Sequence, residues 1–231
     1  MRGEGVRMMP VYGGQIGKKF NEDGTARRYP GNTVIADVVP GVSAYDVMTH
    51  LRYMAIEAGF GADMILLPED SYHMTVLRGL NDLVRTDGFW PPELDRAAHM
   101  DTVDDYVSAA VARAGLPGPI SMCFDGVIVS DEDFRVKVVP ADDAQAAALR
   151  AFRNRAAEAI GLKLPGHDSY TYHITLAYMR FVPQGERAQA LSALVRSMEE
   201  YLRGQKSFTM TAPYMAYYDD MLAFYSQRIA R

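Results

Sequence analysis

Two short stretches of the chain carry residues whose types and spacing can do acid–base chemistry on an anion. Tyr72-His73-Met74-Thr75-Val76 and Tyr172-His173-Ile174-Thr175-Leu176 repeat one pattern, 100 residues apart. On a strand, residues two apart share a face, so each stretch offers one imidazole and one hydroxyl while its apolar residues face the other way. Histidine is the side chain whose charge changes near neutral pH. A neutral His takes a proton from an attacking water or hydroxyl and a protonated one gives a proton to a leaving oxygen, each contributing about 10²- to 10⁴-fold. Threonine hydroxyls donate to non-bridging phosphate oxygens and hold them harder as charge builds there. Cleavage of a phosphoester is the chemistry that His73, His173, Thr75 and Thr175 suit.

The repetition extends upstream. Glu57-Ala58-Gly59 leads through Leu67-Pro68-Glu69-Asp70-Ser71 to the first motif, and Glu158-Ala159-Ile160-Gly161 leads through Leu164-Pro165 and Asp168-Ser169 to the second. A single His-x-Thr strand is commonplace, but the same pair at the same place of a repeated unit is not. Duplicated units commonly pack about a pseudo-twofold axis, which brings equivalent positions together. The two imidazoles are therefore expected to share one cleft.

Elements that can position them follow from periodicity. Residues 33–39 read as a strand closed by Pro40-Gly41, then a helix opens at Ser43 with Val47, Leu51, Met54 and Ala58 on one side. Met64–Leu67 and Tyr72–Leu77 read as strands, and 81–99 as a long loop holding Trp90. A helix capped by Asp101 runs to Ala114, followed by a hairpin of 120–129 and 134–139 around Ser130-Asp131-Glu132-Asp133. Helices over 142–160 and 183–202, and strands over 172–179, 208–217 and 221–225, complete an α+β pattern. Residues 1–32 form a Gly-rich leader that reads as loop. No linker divides the rest, so 1–231 is expected to be one domain of two pseudo-symmetric lobes, each with one motif strand (72–78 and 172–179).

Several other residues can touch a ligand. Strict alternation sends Tyr72, Tyr172, Arg78 and Tyr178 away from the histidines, although a bulge or strand end at Gly79 lets Arg78 curl back and supply a charge that Thr lacks. Lys18 and Lys19 lie in a Gly-rich turn that lacks a full phosphate-loop pattern, with Lys19 the candidate ligand. Phe89 and Trp90 can stack on a base or anchor their loop. His50 and His99 have no third ligand at zinc spacing, His167 reads as a surface residue, and Cys123 as structural. Asp70 and Asp168 are the repeated carboxylates that a metal-dependent hydrolase would need.

Composition narrows the partners. The hydrophobic share is 48% and the charged share 23%, which suits an ordered globular chain. A net charge of -5 supplies no broad positive field for long nucleic acid but leaves a small anionic substrate open. One cysteine cannot form an internal disulfide, and no run of about 18 apolar residues exists to span a membrane. A cytoplasmic monomer is expected.

The two motifs resemble the paired H-x-T-x signatures of the two-histidine phosphoesterases, of which LigT-like RNA cyclic phosphodiesterases are familiar members. The resemblance covers most of 33–225 and implies a bilobal fold with two antiparallel sheets facing a central cleft, helices outside and no metal or other cofactor. It further implies action on a cyclic phosphate or phosphodiester of a nucleotide or RNA end. Arg78, Tyr178 and Lys19, read from their positions and not from the resemblance, are the candidate subsidiary substrate contacts. The alternative is a silent nucleotide-binding module with the same cleft. RNA-end ligation, the reverse reaction, would use the same acid and base.

Overall fold

Apolar periodicity becomes structure close to where the sequence places it. The computed structural model describes residues 10–228, so the first nine residues of the leader lie outside the described residues. In chain order the elements are β1 (Gly31–Asp37), α1 (Ser43–Glu57), β2 (Met64–Leu66), β3 (His73–Asn81), α2 (Met100–Ala114) and β4 (Ile120–Val129). They continue with β5 (Asp133–Pro140), α3 (Asp143–Ile160), β6 (His173–Met179), α4 (Gly185–Arg203), β7 (Phe208–Met210) and β8 (Tyr214–Tyr218). Helix α3 illustrates the logic: the Asp142 carboxylate accepts from the Gln145 amide at 2.8 Å, Leu149, Phe152, Ala156 and Ile160 are buried, and Gly161 ends the helix at φ 73°.

The ends of elements differ from the sequence reading where other groups compete. Ser43 is the first helical residue, and Val42, at the cap, has no side-chain acceptor. In α2 the cap is His99, whose Nδ1 accepts from the Asp101 amide, so Asp101 sits in the first turn. The expected 208–217 strand is divided at Thr211-Ala212-Pro213, after which the chain changes partner from β4 to β1. The expected strand over 221–225 does not form. Tyr217 and Tyr225 make an isolated bridge, because Met221, Leu222 and Phe224 turn inward onto an apolar cluster instead of pairing.

The described strands, all antiparallel, run in the order β7-β4-β5-β6-β3-β1-β8, with β2 added on β6. The two sheets expected from the resemblance are joined, and the seam between β3 and β6 is the single pair Met74↔Ile174. Each half borrows a strand from the other: β4, which follows α2, pairs with β5, and β8, which follows α4, pairs with β1.

Helices α1 to α4 bury their apolar stripes against one face of this sheet. Met48 and Leu51, Val103 and Val107, Phe152 and Ala156, and Met198 and Leu202 join Met74, Val76, Ile174 and Leu176 in one cluster. Removal of this surface from water is the main driving force for the arrangement. The opposite face, which carries the histidines and threonines, is left for the cleft.

The leader is more ordered than its Gly-rich composition predicts. From residue 10 it lies along the stretch that follows β6, where the Val182 amide donates to Val11 O at 2.7 Å and the Gly13 amide to Arg180 O at 3.1 Å. A Cβ at Gly13 would fall 1.9 Å from Met179 O, so only glycine permits this approach. Phe20, fully buried, then seats the leader in a second apolar cluster with Leu67, Tyr178, Tyr218 and Met221. Among the described residues, no helix is long and apolar enough to cross a membrane.

Candidate active site

Backbone register explains how each candidate side chain reaches the cleft. Asp37, Ile35, Val34 and Thr33 of β1 pair with His73, Thr75, Leu77 and Arg78, so Val76 is skipped. Lys137, Arg135, Phe134 and Asp133 of β5 pair with His173, Thr175, Ala177 and Tyr178, so Leu176 is skipped. Both motif strands thus carry a β-bulge one residue after the threonine. An extra residue resets the alternation. Arg78 and Tyr178, which strict alternation sends to the helical face, are turned back towards the cleft, and that corrects the unbulged reading. Tyr72, ahead of its bulge, keeps to the rule with 1% exposure, and Tyr172 packs half-buried against the core.

One cleft of about 610 Å³ is lined by His73, Thr75, Arg78, His173, Thr175, Tyr178 and Lys19. All seven residues singled out in the sequence therefore border the same cavity, whose size suits a small ligand.

The two imidazoles are held alike. His73 Nδ1 lies 2.7 Å from Ser71 O and His173 Nδ1 lies 2.9 Å from Thr171 O. A carbonyl only accepts, so each Nδ1 carries the proton and donates, which leaves Nε2 to exchange protons with a ligand. Burial holds His73 down to about 4, with Ser71 O opposing and the nearby His173 adding to the fall. His173 is lowered too, first by burial, with Arg135 and Lys19 contributing and Asp133 opposing. Both rings are thus neutral at pH 7.

Residues outside the motifs complete the surroundings. Arg135 pairs across the strands with Thr175, lines the cleft and sets its Nε 2.8 Å from Asp133 Oδ1. Phe224 packs its ring 4.2 Å from that of His73, centre to centre, and Tyr170 lies 6.2 Å from His173. Burial pushes the Tyr170 hydroxyl up to about 12, while a hydrogen bond with Thr75 opposes. Beneath Tyr170, the buried Arg153 stacks at 4.3 Å and donates to Val76 O, at the first bulge, and to His167 O, each at 2.8 Å. One side chain of α3 thereby ties the bulge of the first half to the turn before the second motif.

Sequence reasoning missed Arg135, Tyr170, Phe224 and Arg153. Alternation in β5, where Phe134, Val136 and Val138 are buried and Arg135 is only partly so, is the signal that marks Arg135. The other three carry no comparable signal, because only tertiary packing brings Tyr170 and Phe224 to the cleft and Arg153 beneath Tyr170.

Of the remaining candidates, Phe89 borders the cleft and the others lie elsewhere. His167 is buried, not on the surface, with Nε2 3.0 Å from Asn154 Oδ1. Trp90 anchors its loop by donating to Leu94 O at 2.9 Å, while its neighbour Phe89 lines the cleft. His50 packs on Tyr201, and Lys18 is exposed. Cys123 is half-buried in β4. Asp168 makes an ion pair with Lys163 at 2.8 Å, and among the described residues no three His, Cys, Asp or Glu side chains gather as a metal-ligand set.

Residues 19–133, which span Lys19, the first motif and β5 as far as Asp133, match a family labelled 2H-phosphodiest and described as a domain of unknown function (DUF1868). The second motif lies on the strand that pairs with the first. The chain belongs to the two-histidine phosphoesterase superfamily. A conserved protein of unknown function from Agrobacterium tumefaciens strain C58, ATU0111, has the fold of this two-histidine phosphoesterase at a TM-score of 0.82. It is 25% identical over 94% of this chain and 91% of its own. TT0787 of Thermus thermophilus is a looser likeness, with a TM-score of 0.41 and 12% identity over 81% of this chain and 85% of its own. No curated protein sequence matches.

Proposed function

We propose that this two-histidine phosphoesterase cleaves a cyclic phosphate or phosphodiester of a nucleotide or RNA end without a metal. His73, held down to about 4 by burial, is the base, and His173, whose protonated form Thr171 O and Asp133 favour, is the acid. Water attacks phosphorus while His73 Nε2 takes its proton. The P–O bond to the leaving oxygen breaks as His173 Nε2 delivers a proton there. Thr75 and Thr175 donate to the two non-bridging oxygens, and Arg78 supplies charge. A bound phosphate raises the affinity of His173 for its proton, which readies the acid only when substrate is present.

The observation that carries this reading is the pair of imidazoles bordering one cleft, each pinned through Nδ1 to the carbonyl two residues before it. The aromatic lining of Tyr29, Phe89, Tyr170 and Tyr218 supports a nucleotide, because bases stack on such rings. The test is a panel of nucleoside 2′,3′-cyclic phosphates and short RNA 2′,3′-cyclic phosphates incubated with EDTA. Turnover of at least one is expected. Saturable binding with no product over hours would instead favour a silent binding module, and neither binding nor turnover contradicts both.

A further inference from the structure

The cleft holds more positive charge than one phosphodiester can use. Its cations are Lys19, Arg78 and Arg135, and the carboxylate that lines it, Asp133, is engaged by Arg135 and by Ser130. Among the described residues, neither Arg78 nor Lys19 makes an ion pair, and the Lys19 ammonium rests on two tyrosines. The Lys19 Nζ bonds Tyr178 Oη at 3.3 Å and lies 4.8 Å from the centre of that ring and 5.4 Å from that of Tyr29.

Lys19 is also firmly presented. Its amide donates to Gln15 O at 3.0 Å, its carbonyl accepts from the Arg27 amide at 2.8 Å, and the adjacent Phe20 is fully buried. Arg78 and Tyr178 occupy equivalent places after equivalent bulges. In the first half the strand itself provides the cation, whereas in the second the leader lays one over a tyrosine. An ammonium taken largely out of water against phenol rings is poorly compensated until an anion joins it. Burial lowers its proton affinity; Tyr29, Asp133 and Glu132 oppose that fall, and Arg78 adds the smallest effect.

We infer that Lys19 and Tyr178 form a second anion subsite, separate from the His–Thr centre, that takes a phosphate monoester elsewhere on the substrate. The inference rests on the function proposed above and deepens it: the substrate is a nucleotide bearing a further phosphate beyond the one cleaved. Three residues of strand separate Thr175 from Tyr178, or about 10 Å at about 3.3 Å per residue before the shortening of the bulge. One nucleoside unit bridges that span.

Calorimetric binding of adenosine 3′-phosphate and adenosine 3′,5′-bisphosphate tests this without relying on turnover. The wild-type chain is expected to bind the bisphosphate at least about tenfold more tightly, the ordinary return on a charge-assisted contact. Lys19→Met should bring the ratio near one, and Lys19→Arg should keep it. A ratio near one in the wild-type chain, or an unchanged ratio in Lys19→Met, overturns the inference while leaving the His–Thr site standing. Failure of both ligands to bind overturns the parent reading and this one together.

Discussion

Met74 pairs with Ile174, and this one backbone pair between β3 and β6 decides which groups of the two halves are neighbours. In an antiparallel ladder the flanking residues fall opposite one another, which sets His73 towards Thr175 and His173 towards Thr75. Each imidazole therefore works beside the hydroxyl of the other half. Both apolar residues of the pair are fully buried, so the seam is anchored in the core while the reactive groups point the other way.

From that arrangement the two threonines are expected to matter to the chemistry more than to the fold. Thr75→Val and Thr175→Val keep shape and volume but remove one donor each to a phosphate oxygen. Each should lower kcat by about 10²-fold with a smaller change in KM, as loss of a transition-state donor does elsewhere. Steady-state kinetics on the best substrate of the cyclic phosphate panel is the check, with circular dichroism confirming the fold. A rise in KM at constant kcat would mean that the hydroxyls serve ground-state binding alone.

Stability should fall on acidification through a window set by His73. The unfolded imidazole takes up its proton near the ordinary value of 6.5, while the folded one resists until about 4. Between these values the unfolded state binds more protons, so unfolding becomes easier as pH drops from about 6.5 to about 4, and the contribution is fully present above that window. Urea midpoints measured across this range should show the slope, and His73→Gln should reduce it. An unaltered slope in His73→Gln would refute the assignment.

Arg153 should contribute to stability out of proportion to its distance from the reacting groups. Arg153→Met leaves the buried carbonyls of Val76 and His167 without their guanidinium donors. Each loss costs about 1–3 kcal/mol where water cannot replace it. Urea denaturation should register a drop of that order. In the folded variant, turnover should also fall, because the first bulge and the turn before the second motif lose their common tie.

Gly79, which follows Arg78, offers a cleaner packing test. A Cβ there would lie 2.1 Å from Asn32 Oδ1 and 2.4 Å from Asn32 O, and Asn32 is fully buried with its amide donating to Asp104 at 2.9 Å. Gly79→Ala should destabilise the chain by about 1–3 kcal/mol through overpacking. Gly118→Ala, which meets nothing within 4 Å, is the matched control and should be close to neutral. Equal thermal midpoints for the two variants would contradict the packing described.

How much of this is legible in the sequence depends on how local each signal is. The motif strands and helices α1 and α3 declare themselves through period-2 and helical spacing, and the duplication pairs His73 with His173. The bulges do not: Val76-Leu77 and Leu176-Ala177 read as uninterrupted apolar runs, and only partner strands β1 and β5 reveal the skipped residue. Arg135 is hidden because the repeat points away from it, its counterpart in β1 being the fully buried Ile35. The leader reads as loop since its order comes from a glycine contact with β6 and from Phe20 in a cluster assembled by distant segments. Met221 and Phe224 suit a strand by composition, yet burial against Tyr178 and Tyr218 wins.

If both imidazoles grip one phosphate, the most direct measurement is a titration of the ¹⁵N-histidine-labelled chain with adenosine 3′-phosphate followed by NMR. The Nε2 resonances of His73 and His173 should shift together and saturate at one ligand per chain, while the Nδ1 signals, held by Ser71 and Thr171, should keep their protons. A shift confined to one ring, or two rings that saturate at different stoichiometries, would contradict the account.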